Sequence, residues 1–284
     1  MEKDKAKAGD GPLQFQTRRR GGVICLEAEA FQRHAFLVHA FCGRHGGVSE
    51  GPYAGLNVSE NEGDIGWKVS RNREIIARSF DIPADRFLQV DQVHGDRILV
   101  VSSGIAAGVP AGGRPFDAIV TDQAGLAVCV RTADCVPILL ADPLRQVVGI
   151  VHAGWRGTAL KVAAKTVEVL TDRFACRRED ILAALGPAIG ACCYEVDGTV
   201  RDAMGPDLDS AFSVRSGGGR WMFDLPGANR LQILASGVPV RNISVEGTCT
   251  SCRRDLFFSH RAEGGLTGRQ LSFIMMGGPE VKKG

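Results

Sequence analysis

The stretch that most constrains this chain is residues 131–157, RTADCVPILLADPLRQVVGIVHAGWRG. It contains two apolar runs, VPILLA and VVGIV, which are short and bounded by Asp, Pro or Gly, and this pattern favours buried strands over a helix. The Asp142-Pro143 pair between the runs is a turn signal. We therefore expect the two runs to pair as a β-hairpin.

A side chain that can bind a metal ion lies at the open end of each predicted strand. Cys135 precedes the first run and His152 ends the second, so hairpin pairing brings both to the same end of the sheet. His94 follows an alternating apolar segment at a predicted strand end and is the best candidate for a third ligand. A His/Cys/His set leaves a fourth position open, as in a catalytic rather than a structural zinc site. The alternative is that His152 is an ordinary strand-end histidine and Cys135 a buried thiol.

Composition sets the broad class of the protein. The 284 residues, 44% of them hydrophobic, are enough for a sizeable core. Without an internal repeat or a linker, the sequence predicts a disordered N-terminal arm over residues 1–21 and a single domain over residues 22–284.

The charge and the cysteine count restrict the partners and the compartment. A net charge of +2 and the lack of an apolar run of the ~18 residues that span a membrane predict no nucleic-acid and no membrane partner. Nine cysteines, an odd number without a secretory signal, favour reduced thiols in the cytoplasm over a disulfide framework. The oligomeric state stays open.

Two glycine-rich segments are candidates for binding an anion. Residues 36–59 place Arg44 among glycines, near backbone N–H groups. The segment VHAGWRGT runs from a strand into a helix predicted over residues 158–174, with Thr158 as its N-cap and Arg156 in the loop. The alternative for both segments is a plain turn-rich connection.

The remaining pattern predicts alternating strands and helices. The main predicted elements are a helix from Gly66 to about Ile82, a strand over residues 86–101 that carries His94, a surface loop over residues 102–115, a second hairpin over residues 116–135 around DQAG, and a helix over residues 225–238.

Four further cysteines occur as two close pairs. Cys192 and Cys193 are adjacent, and in an extended strand their side chains point to opposite faces, which makes them a poor joint ligand set. Cys249 and Cys252 form a lone CxxC, which is weak evidence for zinc without a second pair. The sequence leaves the role of these residues open.

Several motifs, in order along most of the chain, resemble the bacterial YfiH/YlmD family, the laccase-domain family once labelled multicopper polyphenol oxidase. The motifs that carry the resemblance are GGVSEGPYAGLNVSENEGD from residue 46, QVHGDRI, TADC, VHAGWRGT, GPAIGACCYEV, DLPGANRLQILASGV and FFSHRAEGGLTGRQLSFIMM, which ends at residue 276.

The resemblance implies a fold and an activity. The fold is of the α+β class, a single-domain mixed-sheet α/β/β/α sandwich similar to the deamidase domain of a bacterial cytotoxic factor. The activity is a zinc-dependent purine nucleoside phosphorylase that splits adenosine, inosine and methylthioadenosine with phosphate, together with adenosine deaminase activity. The family's metal ligands fall on His94, Cys135 and His152, the trio chosen above on chemical grounds.

Roles for the other candidate residues follow as hypotheses. Cys135 and His152 are expected to be catalytic as well as metal-binding. Arg44 and Arg156 are expected to bind phosphate or sugar oxygens. Asp134 either orients a ligand or transfers a proton, or it caps the local backbone instead.

Two other chemistries stay open. The family's older label is a copper oxidase, and a His₂Cys set also binds copper, but six histidines in the chain are too few for a blue-copper site and a trinuclear cluster together. In the second alternative, His152 activates Cys135 as the nucleophile of an amidase or a peptidoglycan-editing hydrolase. A thiolate cannot be a zinc ligand and a free nucleophile at once, so removal of the metal decides between these two chemistries. The resemblance implies zinc as the cofactor, with copper as its alternative.

Overall fold

The computed structural model describes residues 14–102, 115–214 and 219–277. Residues 103–114 of the surface loop predicted over residues 102–115, and most of the predicted N-terminal arm, lie outside the described residues. Among the helices of the described part, none is long and apolar enough to cross a membrane.

The described residues form strands and helices throughout the chain. The strands are β1 (Phe15–Arg20), β2 (Val23–Ala28), β3 (Leu37–Cys42), β4 (Phe87–Leu88), β5 (Ile98–Val101), β6 (Ala118–Thr121), β7 (Ala127–Thr132), β8 (Val136–Asp142), β9 (Val147–Ala153), β10 (Leu182–Leu185), β11 (Glu195–Val196), β12 (Phe212–Val214), β13 (Trp221–Phe223), β14 (Ile243–Val245) and β15 (Gln270–Met276). The α-helices are α1 (Glu29–Gln32), α2 (Gly66–Ser79), α3 (Trp155–Ala159), α4 (Val162–Phe174), α5 (Gly198–Met204) and α6 (Leu225–Ala235).

Two six-stranded mixed sheets form the centre of the fold. The first has the order β1-β2-β3-β15-β7-β4, and the second has the order β14-β10-β8-β9-β6-β5. A small third sheet, β11-β13-β12, lies outside them. The predicted hairpin of β8 and β9 is confirmed and occupies the middle of the second sheet.

Alternating side chains of the β8–β9 hairpin fill two different cores, because successive residues of a strand point to opposite faces. Leu139 and Ile150 pack between the two large sheets. Ile138 and Val151 pack on the other face, against α4 and α6. On the far side of the first sheet, α2 contributes Ile76 to a third core. The layers therefore run helix, sheet, sheet, helix, which confirms the predicted α/β/β/α sandwich.

The predicted second hairpin over residues 116–135 is wrong. β6 pairs with β5 and β9 in the second sheet, whereas β7 pairs with β15 and β4 in the first. Every side chain of β6 and nearly every one of β7 is buried, so both faces of each strand are packed against other parts of the protein. The turn around Gly125 therefore carries the chain from one sheet to the other.

The strand predicted over residues 86–101 is also interrupted. β4 belongs to the first sheet and β5 to the second, and His94 lies in the crossing between them. The backbone of His94 has φ +60°, which is incompatible with a continuing strand. This crossing places His94 beside the open end of the central hairpin.

The helix predicted over residues 158–174 begins earlier and is broken. Thr158 is not its N-cap but lies inside α3, where its hydroxyl donates to the carbonyl of Gly154 at 2.9 Å. Lys161, with φ +61°, separates α3 from α4. Asn229 and Gln232 of α6 donate hydrogen bonds to the hydroxyl and carbonyl of Thr158, which fixes the break in place.

Part of the predicted N-terminal arm is ordered. Residues 15–20 form β1, an edge strand that pairs with β2 along its whole length. Its last four residues are exposed, and Arg20 forms an ion pair with Glu27 at 2.8 Å. A charged edge strand lacks the apolar alternation that predicts strands from sequence.

Candidate metal centre and substrate pocket

The central hairpin positions two of the three predicted ligands. Cys135 directly precedes β8, and His152 lies near the end of β9, opposite Pro137. The expectation that Cys135 and His152 lie at the same end of the sheet is therefore confirmed. His152 is almost fully buried, with 3% of its surface exposed.

His94 reaches the same place from the crossing loop. Asp117, directly before β6, accepts hydrogen bonds from the backbone N–H groups of His94 at 2.9 Å and Gly95 at 2.6 Å. These bonds hold His94 in its left-handed backbone conformation. His94 therefore owes its position to a buried carboxylate rather than to a strand.

The ligand atoms of His94, Cys135 and His152 all lie within 4.8 Å of one another. The two imidazole rings meet edge to face, with centroids 4.8 Å apart. A Cβ on Gly154 would come within 2.9 Å of Cys135 Sγ and of His94 Cδ2, so only glycine leaves these two side chains room to converge. Two imidazole nitrogens and one thiolate are a donor set that suits zinc and also copper.

Asp117 orients the ring of His152 as well as the loop that carries His94. Its carboxylate lies 2.8 Å from Nδ1 of His152, so that Nδ1–H donates and Nε2 is left to face Cys135 and His94. Burial opposes the charge on Asp117, but the hydrogen bond and charge of His152 outweigh it and lower the pKa of Asp117. A carboxylate behind a ligating histidine is a recurrent arrangement in metal sites, because it fixes the ring's tautomer and orientation.

Cys135 and His152 perturb each other strongly. Burial opposes ionisation of the thiol, but the charge of His152 and hydrogen bonds from both histidines outweigh it and lower the pKa of Cys135 to about 6. Burial likewise opposes protonation of the imidazole, but the Cys135 thiolate and Asp117 raise the pKa of His152 to about 9. Each shift favours the ionised form of the other residue, so the metal-free pair favours a thiolate beside an imidazolium.

This charge state predicts the proton balance of metal binding. At about pH 7.5 a divalent ion that binds Sγ of Cys135 and Nε2 of His152 displaces a proton only from the imidazolium, so we expect the pair to release about one proton per ion. Calorimetry in buffers of different ionisation enthalpy measures this number. Below about pH 6 the release should increase, because the thiol then carries a proton as well. A release of two protons from this pair at neutral pH would contradict the thiolate assignment.

The three predicted ligands line a cavity of about 470 Å³. Trp155 and Tyr194 contribute aromatic surface to it. Burial is the main reason why the pKa of Tyr194 is raised, so its phenol stays protonated and can donate a hydrogen bond. Four arginines also line the cavity: Arg131, Arg156, Arg261 and Arg269.

Arg156 differs from the other three arginines in its contacts. The guanidinium of Arg269 pairs with Glu62 at 2.9 Å, that of Arg261 donates to the carbonyl of Glu195, and that of Arg131 to the carbonyl of Val90. Arg156 is exposed and lies over the Trp155 ring, 4.4 Å from its centroid. Within the described part of the chain, no group pairs with or accepts a hydrogen bond from its guanidinium. Arg156 is therefore available to an anion in the cavity.

The structure does not bring Arg44 to this cavity. Its guanidinium pairs with Glu263 at 3.2 Å, donates to the carbonyl of Arg254 at 2.9 Å and lies over the Phe258 ring. Arg44 thus links the loop after β3 to the segment before β15. These contacts favour a structural role for Arg44 over a direct contact with substrate.

Asp134 borders the cavity but has a structural set of partners. Its carboxylate accepts hydrogen bonds from the hydroxyls of Thr250 at 2.6 Å and Ser259 at 2.7 Å, and from the backbone N–H of Arg261 at 2.6 Å. Its backbone is left-handed, with φ +90°. These contacts favour the alternative role for Asp134, in which it fixes the backbone next to Cys135.

Asp117 and Tyr194 are functional candidates that the sequence did not reveal. Asp117 is an isolated acid before a short apolar strand, and its role appears only when β6 lies beside β9. Tyr194 follows the two adjacent cysteines of GACCYEV, and only the fold turns it toward the metal ligands.

Removing the charge of Asp117 should weaken metal binding. We expect Asp117→Asn to raise the dissociation constant for zinc by about 10- to 100-fold, because the neutral amide no longer favours the Nδ1–H tautomer or the basicity of His152. Competition with a chromophoric chelator measures the constant. Asp85→Asn, at an exposed position, is the matched control. An unchanged constant would show that Asp117 does not support the metal ligand.

Comparisons with known proteins agree with the motifs. A sequence model of the family described as multi-copper polyphenol oxidoreductase laccase matches residues 38–277. The chain is 41% identical over 274 residues to the purine nucleoside phosphorylase YlmD of Geobacillus stearothermophilus, which covers 93% of this chain and 97% of that protein. It is 33% identical over 264 residues to the adenosine deaminase RL5 of an unknown prokaryotic organism, and the match covers 89% of this chain and 99% of that protein.

The solved structures give the same result. The crystal structure of YlmD from Geobacillus stearothermophilus superimposes with a TM-score of 0.84 at 39% identity, over 94% of this chain and all of that one. Both the fold and most of the sequence are therefore shared. The chain belongs to the multi-copper polyphenol oxidoreductase laccase family, the YfiH/YlmD family that its motifs resemble.

Proposed function

We propose that the protein is a zinc-dependent purine nucleoside phosphorylase that splits adenosine, inosine and methylthioadenosine with phosphate, and that it also deaminates adenosine. The observation that carries this proposal is one cavity that presents the His94, Cys135 and His152 donors together with the guanidinium of Arg156, which pairs with no group among the described residues. The relatives named purine nucleoside phosphorylase and adenosine deaminase support both activities.

His94, Cys135 and His152, which line the cavity, would hold the zinc ion. Zinc bound there would supply Lewis-acid chemistry to a polar atom of the nucleoside. Asp117 keeps the proton of His152 on Nδ1, so that Nε2 stays available as a ligand. Gly154 leaves the space in which the three side chains converge.

The arginines that line the cavity suit phosphate, the second substrate of the proposed reaction. Phosphorolysis breaks the bond between C1′ of the ribose and N9 of the purine and forms a bond from C1′ to a phosphate oxygen. The phosphate must therefore be held beside C1′, and a guanidinium can bind two of its oxygens at once. Arg156 has no competing ion-pair partner in the described part of the chain, and Trp155 fixes its plane from one side.

The aromatic wall suits the purine. Trp155 and Tyr194 present flat apolar surface on which a base can stack. The protonated phenol of Tyr194 can donate a hydrogen bond to a ring nitrogen or a sugar oxygen. Arg261 lies over the Tyr194 ring, 5.0 Å from its centroid, and holds the ring in place.

Copper oxidase chemistry finds less support in the donor set. All six histidines lie in the described residues, and of the two groups there that could hold a metal ion, only one contains histidine. A multicopper oxidase needs several histidine-rich sites. A single copper ion remains the alternative occupant of the site.

Replacing Arg156 should raise the phosphate requirement selectively. We expect Arg156→Ala to raise the KM for phosphate by about 10-fold or more, because a charge-assisted pair with phosphate contributes roughly 1.5–3 kcal/mol. The KM for inosine should change much less. Steady-state kinetics with each substrate varied in turn measures both constants, and the exposed Arg78→Ala is the control. Unchanged phosphate kinetics would remove Arg156 from the site.

All nine cysteines lie in the described residues, and none of them forms a disulfide there. Unpaired thiols support a reducing compartment. We propose that the protein works in the cytoplasm on small-molecule purine nucleosides and phosphate.

A further inference from the structure

Two cysteine pairs that are far apart in sequence meet in space. Cys192 and Cys193 lie in a turn between β10 and β11, and Cys249 and Cys252 lie in the segment after β14. An isolated β-bridge between the backbones of Ala188 and Cys249 joins the two segments. The four Sγ atoms all lie within 4.8 Å of one another.

The side chains of Cys192 and Cys193 point the same way because the backbone there is not extended. The backbone N–H groups of Cys193 and Tyr194 both donate to the carbonyl of Gly190 at 3.0 Å, so the chain turns tightly through Cys192 and Cys193. Both Sγ atoms then face Cys252, at 3.6 Å and 3.4 Å. The expectation that this pair is a poor joint ligand set is therefore wrong, because it assumed a strand.

These distances between Sγ atoms match four cysteines bound to one metal ion rather than a disulfide or an iron–sulfur cluster. Four sulfurs at the Zn–S distance of about 2.3 Å in a tetrahedron are roughly 3.8 Å apart, close to the two distances above. A disulfide would bring two sulfurs to about 2.05 Å. An iron–sulfur cluster places its thiolates on different iron atoms, farther apart than a single ion does.

The surroundings also suit thiolate ligands. The backbone N–H of Gly190 donates to Sγ of Cys249 at 3.2 Å, and a hydrogen bond of this kind stabilises a ligating sulfur. Cys249 is buried, whereas Cys192 and Cys252 are exposed, so an ion can enter from solvent.

We propose that Cys192, Cys193, Cys249 and Cys252 form a second, structural metal site that binds one zinc ion through four thiolates. Four protein ligands leave no open position, so this site has no direct role in catalysis. It is separate from the site of His94, Cys135 and His152, and it does not depend on the proposed nucleoside activity.

The position of this second site indicates what the ion would stabilise. Tyr194, next to Cys193, lines the substrate cavity. Thr250, between Cys249 and Cys252, donates to Asp134 next to Cys135. One ion bound to both segments would therefore join the aromatic wall of the cavity to the backbone that carries a catalytic ligand.

Metal analysis of the purified protein tests this proposal. Protein is produced with added zinc, purified under reducing conditions without chelators, and analysed by mass spectrometry for metals per chain. We expect two zinc ions in the wild type, one in Cys252→Ser, one in His94→Ala and none in the double variant. Cys176→Ser, which removes a buried thiol outside both groups, should keep two.

Cobalt gives a readout that does not require the variants to fold. Wild-type protein reconstituted with Co²⁺ should show sulfur-to-metal charge-transfer absorption of a tetrathiolate site in addition to that of a single-thiolate site. Zinc lost only in His94→Ala and unchanged in Cys252→Ser would overturn the proposal. So would iron in place of zinc, or an intact mass that shows a disulfide between these cysteines.

Discussion

Replacing Cys135 with serine is expected to lower kcat/KM for adenosine phosphorolysis by more than about 100-fold. Loss of a residue that only hydrogen-bonds to a metal ligand already lowers metal affinity or activity by about 10- to 100-fold, and Cys135 is a predicted ligand itself. Cys135 supplies the only sulfur among the three convergent donors. A serine hydroxyl stays protonated near neutral pH and is a far poorer zinc ligand than a thiolate. The variant should therefore lose the zinc ion of this site together with the activity.

The variant should remain folded. Cys135 is only partly buried, and serine is similar to it in size and shape. Zinc content, kcat/KM and the thermal unfolding midpoint are measured on the same preparation, with Cys176→Ser as the matched control. Cys135→Ser protein that keeps both its zinc and its activity would show that the donor set is wrongly assigned.

Removing the metal ion is expected to abolish turnover and to expose a reactive thiolate. After treatment with a strong chelator and gel filtration, activity should fall by more than about 100-fold and return when zinc is added back. Copper should occupy the site without restoring phosphorolysis. Activity is measured before stripping, after stripping and after addition of each metal.

Stripping also distinguishes a zinc enzyme from a thiol hydrolase. Asp117, His152 and Cys135 form a chain of contacts like that of a Cys-His hydrolase, and the pKa of Cys135 near 6 makes its thiolate reactive when no metal is bound. Iodoacetamide should therefore modify Cys135 rapidly in stripped protein and slowly in zinc-loaded protein, as mapped by peptide mass spectrometry. Activity that survives chelation but is lost on alkylation would favour the hydrolase.

The central hairpin could be predicted because its physics is local. Two short apolar runs around Asp142-Pro143 leave few other arrangements, and the pairing of Pro137 with His152 follows from them. The alternation of its side chains between two cores also explains why both runs are continuously apolar, as strands buried on both faces are.

The crossings between the sheets could not be predicted in the same way. The segments through His94 and through Gly125 look like a strand and a hairpin turn in sequence, but the strands on either side belong to different sheets. Which sheet a short apolar strand joins depends on the partners that cover its two faces, and those partners are distant in sequence. The role of Asp117 depends on the same crossings.

The cysteines at residues 192–193 illustrate a second limit. Their geometry depends on a turn held by the carbonyl of Gly190, and their partners are more than fifty residues away. Spacing alone therefore says little about whether two cysteine pairs form one site. Arg44 illustrates a further limit, since a guanidinium in a glycine-rich loop suggested an anion site, whereas the fold places it beside Glu263 and outside the cavity.

The most direct test of the central claim is product analysis by chromatography of adenosine and inosine incubated with the zinc-loaded protein, with and without phosphate, beside His94→Ala. We expect the free purine base and ribose 1-phosphate to appear only when phosphate is present and to be absent with His94→Ala. No nucleoside turnover by the zinc-loaded protein, or release of the base at the same rate without phosphate, would contradict the assignment as a phosphorylase.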